Sequence, residues 1–131
     1  IGDTVKLVKE PCNTDKAPKN DSSTQSVAFS HYHHIAAQRA ACSSAAAQAE
    51  GCLNQIKAIV ESIDHSLADV VKVNIAVKNI ADMAAVNEVY AKFFPRGVPA
   101  RRVIGVSALA DDALIQIDAV VANEEGTPPA K

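Results

Sequence analysis

Four groups of side chains in this 131-residue sequence have the types and spacing to do chemistry. The first is Arg101, which follows Pro99-Ala100 at the start of a strand-like run. A guanidinium is a planar fork of N–H donors, so it can meet both oxygens of a carboxylate at once. The plainer reading of an isolated arginine is a surface ion pair. The second is Asp118, which shares one face of an extended segment with Leu114, Gln116 and Val120. A glutamine orients water by hydrogen bonds but cannot take its proton at neutral pH. Asp118 can act as a base, yet two residues along a strand separate it from Gln116 by about 6.6 Å. Its plainer role is an ion pair with a lysine or arginine across a subunit contact.

The third group is the histidine cluster Ser30-His31-Tyr32-His33-His34. On an extended strand Tyr32, His34 and Ala36 share one face, and His31, His33 and Ile35 share the other. His34 is therefore a candidate acid or base, since histidine titrates near neutrality. A solvated cluster in a turn is the alternative. No firm third ligand accompanies the histidines, so no metal site is expected. The cysteines Cys12, Cys42 and Cys52 are odd in number and lack metal spacing. Cys42 and Cys52 are separated by about 280° around a helix and do not share a face. Reduced thiols are expected.

These groups must be positioned by a single domain, for which the length suffices. Hydrophobic residues make up 48% and charged residues 21%, a globular composition. A net charge of −2 offers no general attraction for nucleic acid or membranes. Every apolar run is shorter than the roughly 18 residues that span a bilayer. Ile1-Gly2-Asp3-Thr4 has no secretory character, so a cytoplasmic location is expected, with a removed organellar peptide left open.

Thr4–Val8 alternates and predicts a first strand, and the polar stretch Asn13–Thr24 predicts a loop. Ser26–Gln38 reads as one bent strand or a hairpin. Ser43 or Ser44 can cap a helix carrying the stripe Ala46, Ala49, Leu53, Ile56, Val60 and Ile63, which Asp64-His65-Ser66 ends. Asp69–Lys78 predicts a strand with Val71, Val73, Ile75 and Val77 on one face. A second helix over Ile80–Phe94 presents Met83, Val86, Tyr90 and Phe93, and Pro95 and Gly97 end it. Strands follow over Arg101–Ala108 and Leu114–Ala122, separated by a loop at Asp111-Asp112. This order predicts an α+β fold, one sheet with both helices on one face. The other face needs cover, which subunit association would supply. Residues 1–123 are expected to form the domain and 124–131 a flexible tail.

Ser66–Val73, Ala85–Phe94, Pro99-Ala100-Arg101, and Val106–Leu109 followed by Ile115–Ala119 together resemble the Rid family, the reactive intermediate deaminases also called YjgF. The likeness runs from about Ala45 to Val121 and is weaker through Asp15–Pro18, Gln25 and Gln38. It implies a chorismate-mutase-like single mixed sheet with two helices on one face. It also implies a homotrimer with an internal β-barrel and clefts between subunits, and no cofactor or metal. Family members hydrolyse enamines and imines such as 2-aminoacrylate to 2-keto acids and ammonia.

By that resemblance Arg101 is the carboxylate anchor and Asn87 a retained site residue. Several positions depart from the family pattern. The water-activating glutamate is Gln116, and the cysteine two residues after the arginine is Val103. The N-terminal-loop tyrosine aligns with Ser23. The Ser-Gly-Gln element becomes Ala36-Ala37-Gln38, followed by a shortened loop. Ala37 adds a Cβ where a substrate carboxylate would meet backbone N–H groups. The expected ligand is a small carboxylate metabolite, with no nucleic-acid or membrane partner. Three readings stand: an imine deaminase, a trimer that binds metabolites without turnover, and a member recruited to biosynthesis with His34 or Asp118 moving protons. RNA cleavage ranks last, because no basic stripe with stacking aromatics occurs.

Overall fold

A computed structural model of the protein describes residues 6–122. Thr4 and Val5 of the expected first strand, and the 124–131 tail, lie outside the described residues. Six strands form one mixed sheet: β1 (Lys6–Cys12), β2 (Ser26–Ser30), β3 (Tyr32–Gln38), β4 (Val70–Val77), β5 (Ala100–Gly105) and β6 (Ile115–Ala122). Their spatial order is β1-β2-β3-β6-β4-β5. The β4–β5 pair is parallel and every other pair antiparallel. A parallel pair needs a crossover, and helix α2 (Met83–Phe93) supplies it. Helix α1 (Ala45–Ser62) links β3 to β4. The segment left open as a bent strand or a hairpin is the β2–β3 hairpin, with His31 in its turn.

Alternation builds the core. Ile115, Ile117, Ala119 and Val121 of β6 are buried with Val73, Ile75 and Val77 of β4, against Leu53, Ile56, Ile59 and Val60 of α1 and Val86 of α2. Both helices thus cover one face. Burying each such aliphatic side chain contributes about 1.5–3 kcal/mol. Ser44 caps α1, its hydroxyl accepting from the Ala47 N–H at 3.2 Å. The helix ends as Asp64 turns left-handed at φ 66° and the His65 N–H closes on the Val60 carbonyl.

Two details correct the expected face assignments and a third corrects a strand boundary. Val71 is 38% exposed, whereas Val70 is buried, because the β4–β6 register slips between Val70 and Lys72. Such a bulge adds a residue and turns the following side chains around. At the end of α2 it is Phe94, just past the last turn, that enters the core, and Phe93 is only partly buried. The β5 strand stops at Gly105 rather than running to Ala108.

A second slip lies in β3, where Ile35 pairs with Ala119 but Gln38 with Ile117. The extra residue falls at Ala36-Ala37, so Ile35 and Gln38, three apart, both face the helices. The connection that follows runs hard against α1. A Cβ on Gly51 would lie 2.6 Å from the Ala40 Cβ, so glycine permits this approach.

Candidate ligand-binding site

Arg101 lies beside Val73 in the β4–β5 register, on the helix-covered side of the edge strand. Asn87 and Tyr90 are three residues apart on α2 and so share its surface. The Asn87 Oδ1 accepts from Arg101 Nη1 at 2.8 Å. The guanidinium carbon sits 4.8 Å from the centre of the Tyr90 ring, a cation–π distance. Burial pushes the Tyr90 hydroxyl pKa up, partly offset by the Arg101 charge. A concavity of about 380 Å³ opens here, lined by Asn87, Tyr90, Phe94, Pro95 and Arg101. Val103, two residues along, is half-buried and packs on the core beneath.

A separate cleft of about 510 Å³ lies where β3 leaves the sheet, lined by Ser23, Gln25, Ala36, Ala37, Arg39 and Gln116 among others. Its loop wall is organised by the buried Gln25 amide. Gln25 Nε2 reaches the carbonyls of Thr14, Ala17 and Pro18 at 2.9–3.0 Å, and its Oε1 accepts from the Thr14 N–H at 2.6 Å. Such a caged amide replaces the backbone pairing that an irregular segment lacks.

The strongest polar feature of this cleft is Arg39. Its Nη1 donates to Gln116 Oε1 at 3.0 Å and its Nη2 to Asp111 Oδ2 at 3.2 Å. A guanidinium only donates, so the Gln116 carbonyl oxygen must face Arg39 and its NH₂ must face away. Asp111 and Asp112 adopt left-handed φ values of 60° and 57°, a conformation that aspartate tolerates better than most residues.

Asp118 follows Gln116 on the same uncovered face. Its Oδ1 accepts from Asn74 Nδ2 at 2.7 Å, and Arg102 follows Asn74 in the cross-strand row. Gln116, Asp118, Asn74 and Arg102 border a shallow concavity of about 240 Å³. His34 is exposed beside Val120 and does not line the 510 Å³ cleft. His33 points inward, with its ring 5.1 Å from that of His65, whose Nδ1 lies 2.8 Å from Asp69 Oδ2.

Seven of the nine candidate residues therefore divide into two groups within one chain, and His34 and Asp118 join neither. Arg101, Asn87 and Val103 gather at the α2–β5 corner, while Ser23, Ala36, Ala37 and Gln116 gather at the end of β3. Arg101 and Gln116 project from opposite faces of the sheet, since Arg101 aligns with buried Val73 and Gln116 with half-buried Ala76. Sequence reasoning missed Arg39, whose side depends on the β3 bulge. Among the described residues no group of His, Cys, Asp or Glu has the arrangement to hold a metal. The buried Cys52 donates to the Gln38 carbonyl at 3.2 Å, and burial pushes its thiol up to about 12. It stays protonated and is no nucleophile at neutral pH.

The family model described as Endoribonuclease L-PSP matches residues 32–123. The chain belongs to this family, the Rid (YjgF) family. A RutC family protein of Pyrococcus horikoshii is 44% identical over 77 residues, 59% of this chain and 61% of that protein. The 2-iminobutanoate/2-iminopropanoate deaminase of Escherichia coli is 40% identical over 78 residues, 57% of this chain and 61% of that protein. These alignments thus span about three fifths of the curated relatives. The crystal structure of RidA from an Antarctic Psychrobacter superposes with a TM-score of 0.82 at 30% identity, covering 86% of this chain and 98% of that one. No described helix of this Rid protein is long and apolar enough to cross a membrane.

Proposed function

We propose that this Rid protein binds small 2-oxo and 2-imino carboxylates in a cleft completed by a second copy of the chain, and that it hydrolyses imines slowly. The observation that carries this reading is the setting of Arg101. Asn87 and the Tyr90 ring fix the guanidinium, and neither neutralises it. Its remaining N–H groups suit a carboxylate. The division of the candidate residues supports a shared cleft: the Arg101 corner of one copy would meet the Gln116 end of its neighbour. The uncovered sheet face, with Tyr32 and Ile104 exposed, supports association, and a homotrimer is the arrangement in view. Slow turnover follows from Gln116, which cannot serve as a base and whose oxygen is already engaged by Arg39. The deaminase named among the relatives favours the imine as substrate class.

Calorimetry with 2-oxobutanoate should show binding that Arg101→Ala abolishes. Freshly generated 2-aminoacrylate should yield ammonia and keto acid at a rate modestly above buffer. Binding without any excess rate would leave a metabolite-binding trimer. No binding at all would end the proposal, and sedimentation showing only monomers would remove the shared cleft.

A further inference from the structure

Arg39 places a second cation in the cleft that Gln116 lines. The lining holds Lys19, Arg39 and Asp111, and Lys19 is already paired with Asp15 at the surface. Asp111 is a weak competitor for Arg39, because its side chain is 81% exposed and a solvated pair contributes little. The enclosed Arg39 Nε has no hydrogen-bond partner among the described residues. Gln116 takes a hydrogen bond from Arg39 without cancelling its charge, and the orientation this imposes turns the amide NH₂ away as a further donor. A glutamate at position 116 would leave Arg39 between two carboxylates. With glutamine, one residue both removes the base and leaves a guanidinium under-neutralised.

We propose that the site selects dicarboxylates, specifically 2-oxo or 2-imino acids with a distal carboxylate, and that Arg39 with the Gln116 amide binds the distal group. This rests on the reading of Arg101, supplied by the neighbouring copy, as anchor of the first carboxylate. The cleft volume of about 510 Å³ exceeds what a three-carbon acid fills and lies in the usual small-molecule range of roughly 300–1,000 Å³. Arg39 is then a specificity-determining residue. Its planar fork matches a carboxylate, and its side chain is 29% exposed, enclosed enough to limit screening by water.

The test compares 2-oxoglutarate with 2-oxopentanoate, which has the same carbon chain but no distal carboxylate. Calorimetry on the full chain should show 2-oxoglutarate binding at least tenfold more tightly. Arg39→Leu should bring the ratio of the two affinities to within twofold. Gln116→Glu, nearly isosteric with the original side chain, should also erase or reverse the preference by occupying Arg39 with a carboxylate. Equal binding of the two acids by the unsubstituted protein overturns this inference and leaves the Arg101 reading intact. A preference that survives both substitutions overturns it as well. Binding of neither acid overturns both readings.

Discussion

Arg101 and Arg39 each present a guanidinium to a concavity, and the molecule holds them in opposite ways. Arg101 is steadied by an amide oxygen and a ring face, neither of which carries charge. Arg39 is tied between an amide oxygen and the carboxylate of a loop residue. The charge of the first is available whatever its neighbours do. The charge of the second depends on what stands at positions 111 and 116. Binding preference can therefore change through a partner residue while the arginine itself stays in place.

The sharpest way to break this contrast is to restore a base. Gln116→Glu with Arg39→Leu should raise 2-aminoacrylate hydrolysis roughly 100-fold, the lower end of general-base contributions. Gln116→Glu alone should gain only about tenfold, because Arg39 would hold the new carboxyl in its ionised, weakly basic form. Stopped-flow measurement of keto-acid release distinguishes the two, and equal rates would mean that Arg39 does not control position 116.

Arg101→Lys probes whether geometry matters as well as charge. A lysine keeps the cation but loses the fork, so 2-oxobutanoate should bind about tenfold more weakly in calorimetry. Undiminished affinity would make Arg101 a point charge. Tyr90→Leu removes the ring beneath Arg101 and should weaken the same binding about threefold, as expected for loss of a cation–π contact of roughly 0.5–1 kcal/mol. The smallest effect belongs to Asp111→Asn, which removes the charge but still tolerates the left-handed φ of 60°. Breaking that exposed pair should shift the urea midpoint by an amount equivalent to less than about 0.5 kcal/mol. A larger shift would mean that the Arg39 bridge holds the cleft together.

Much of this arrangement was legible in the residues. The two-residue period of Val73–Val77 and Ile115–Val121 marks the central strands, because the covered face is wholly aliphatic while the other mixes in Asn74, Gln116 and Asp118. The α1 stripe and its Ser44 cap were equally plain, and the Pro-Ala-Arg segment singled out the arginine that sits against Asn87 and Tyr90. The bulges were not visible. An Ala-Ala step has no turn chemistry to announce an extra residue, and Val70-Val71 offers two equivalent valines of which only pairing decides the inner one. Nor could alternation reveal that Arg101 and Gln116 leave opposite faces, since that depends on cross-strand register. Within β3 the alternation holds, with His33 and Ile35 inward and Tyr32 and His34 outward, but His31, expected on the His33 face, lies exposed in the hairpin turn.

The Ala36-Ala37 bulge works as a change of parity. Before it, odd-numbered residues of β3 face the helices, as His33 and Ile35 do; after it, the even-numbered Gln38 does. Continued without interruption, the original parity would aim Arg39 at the aliphatic core, where an unpaired guanidinium is untenable. Two methyl side chains with no chemistry of their own thus decide on which side of the molecule a positive charge appears.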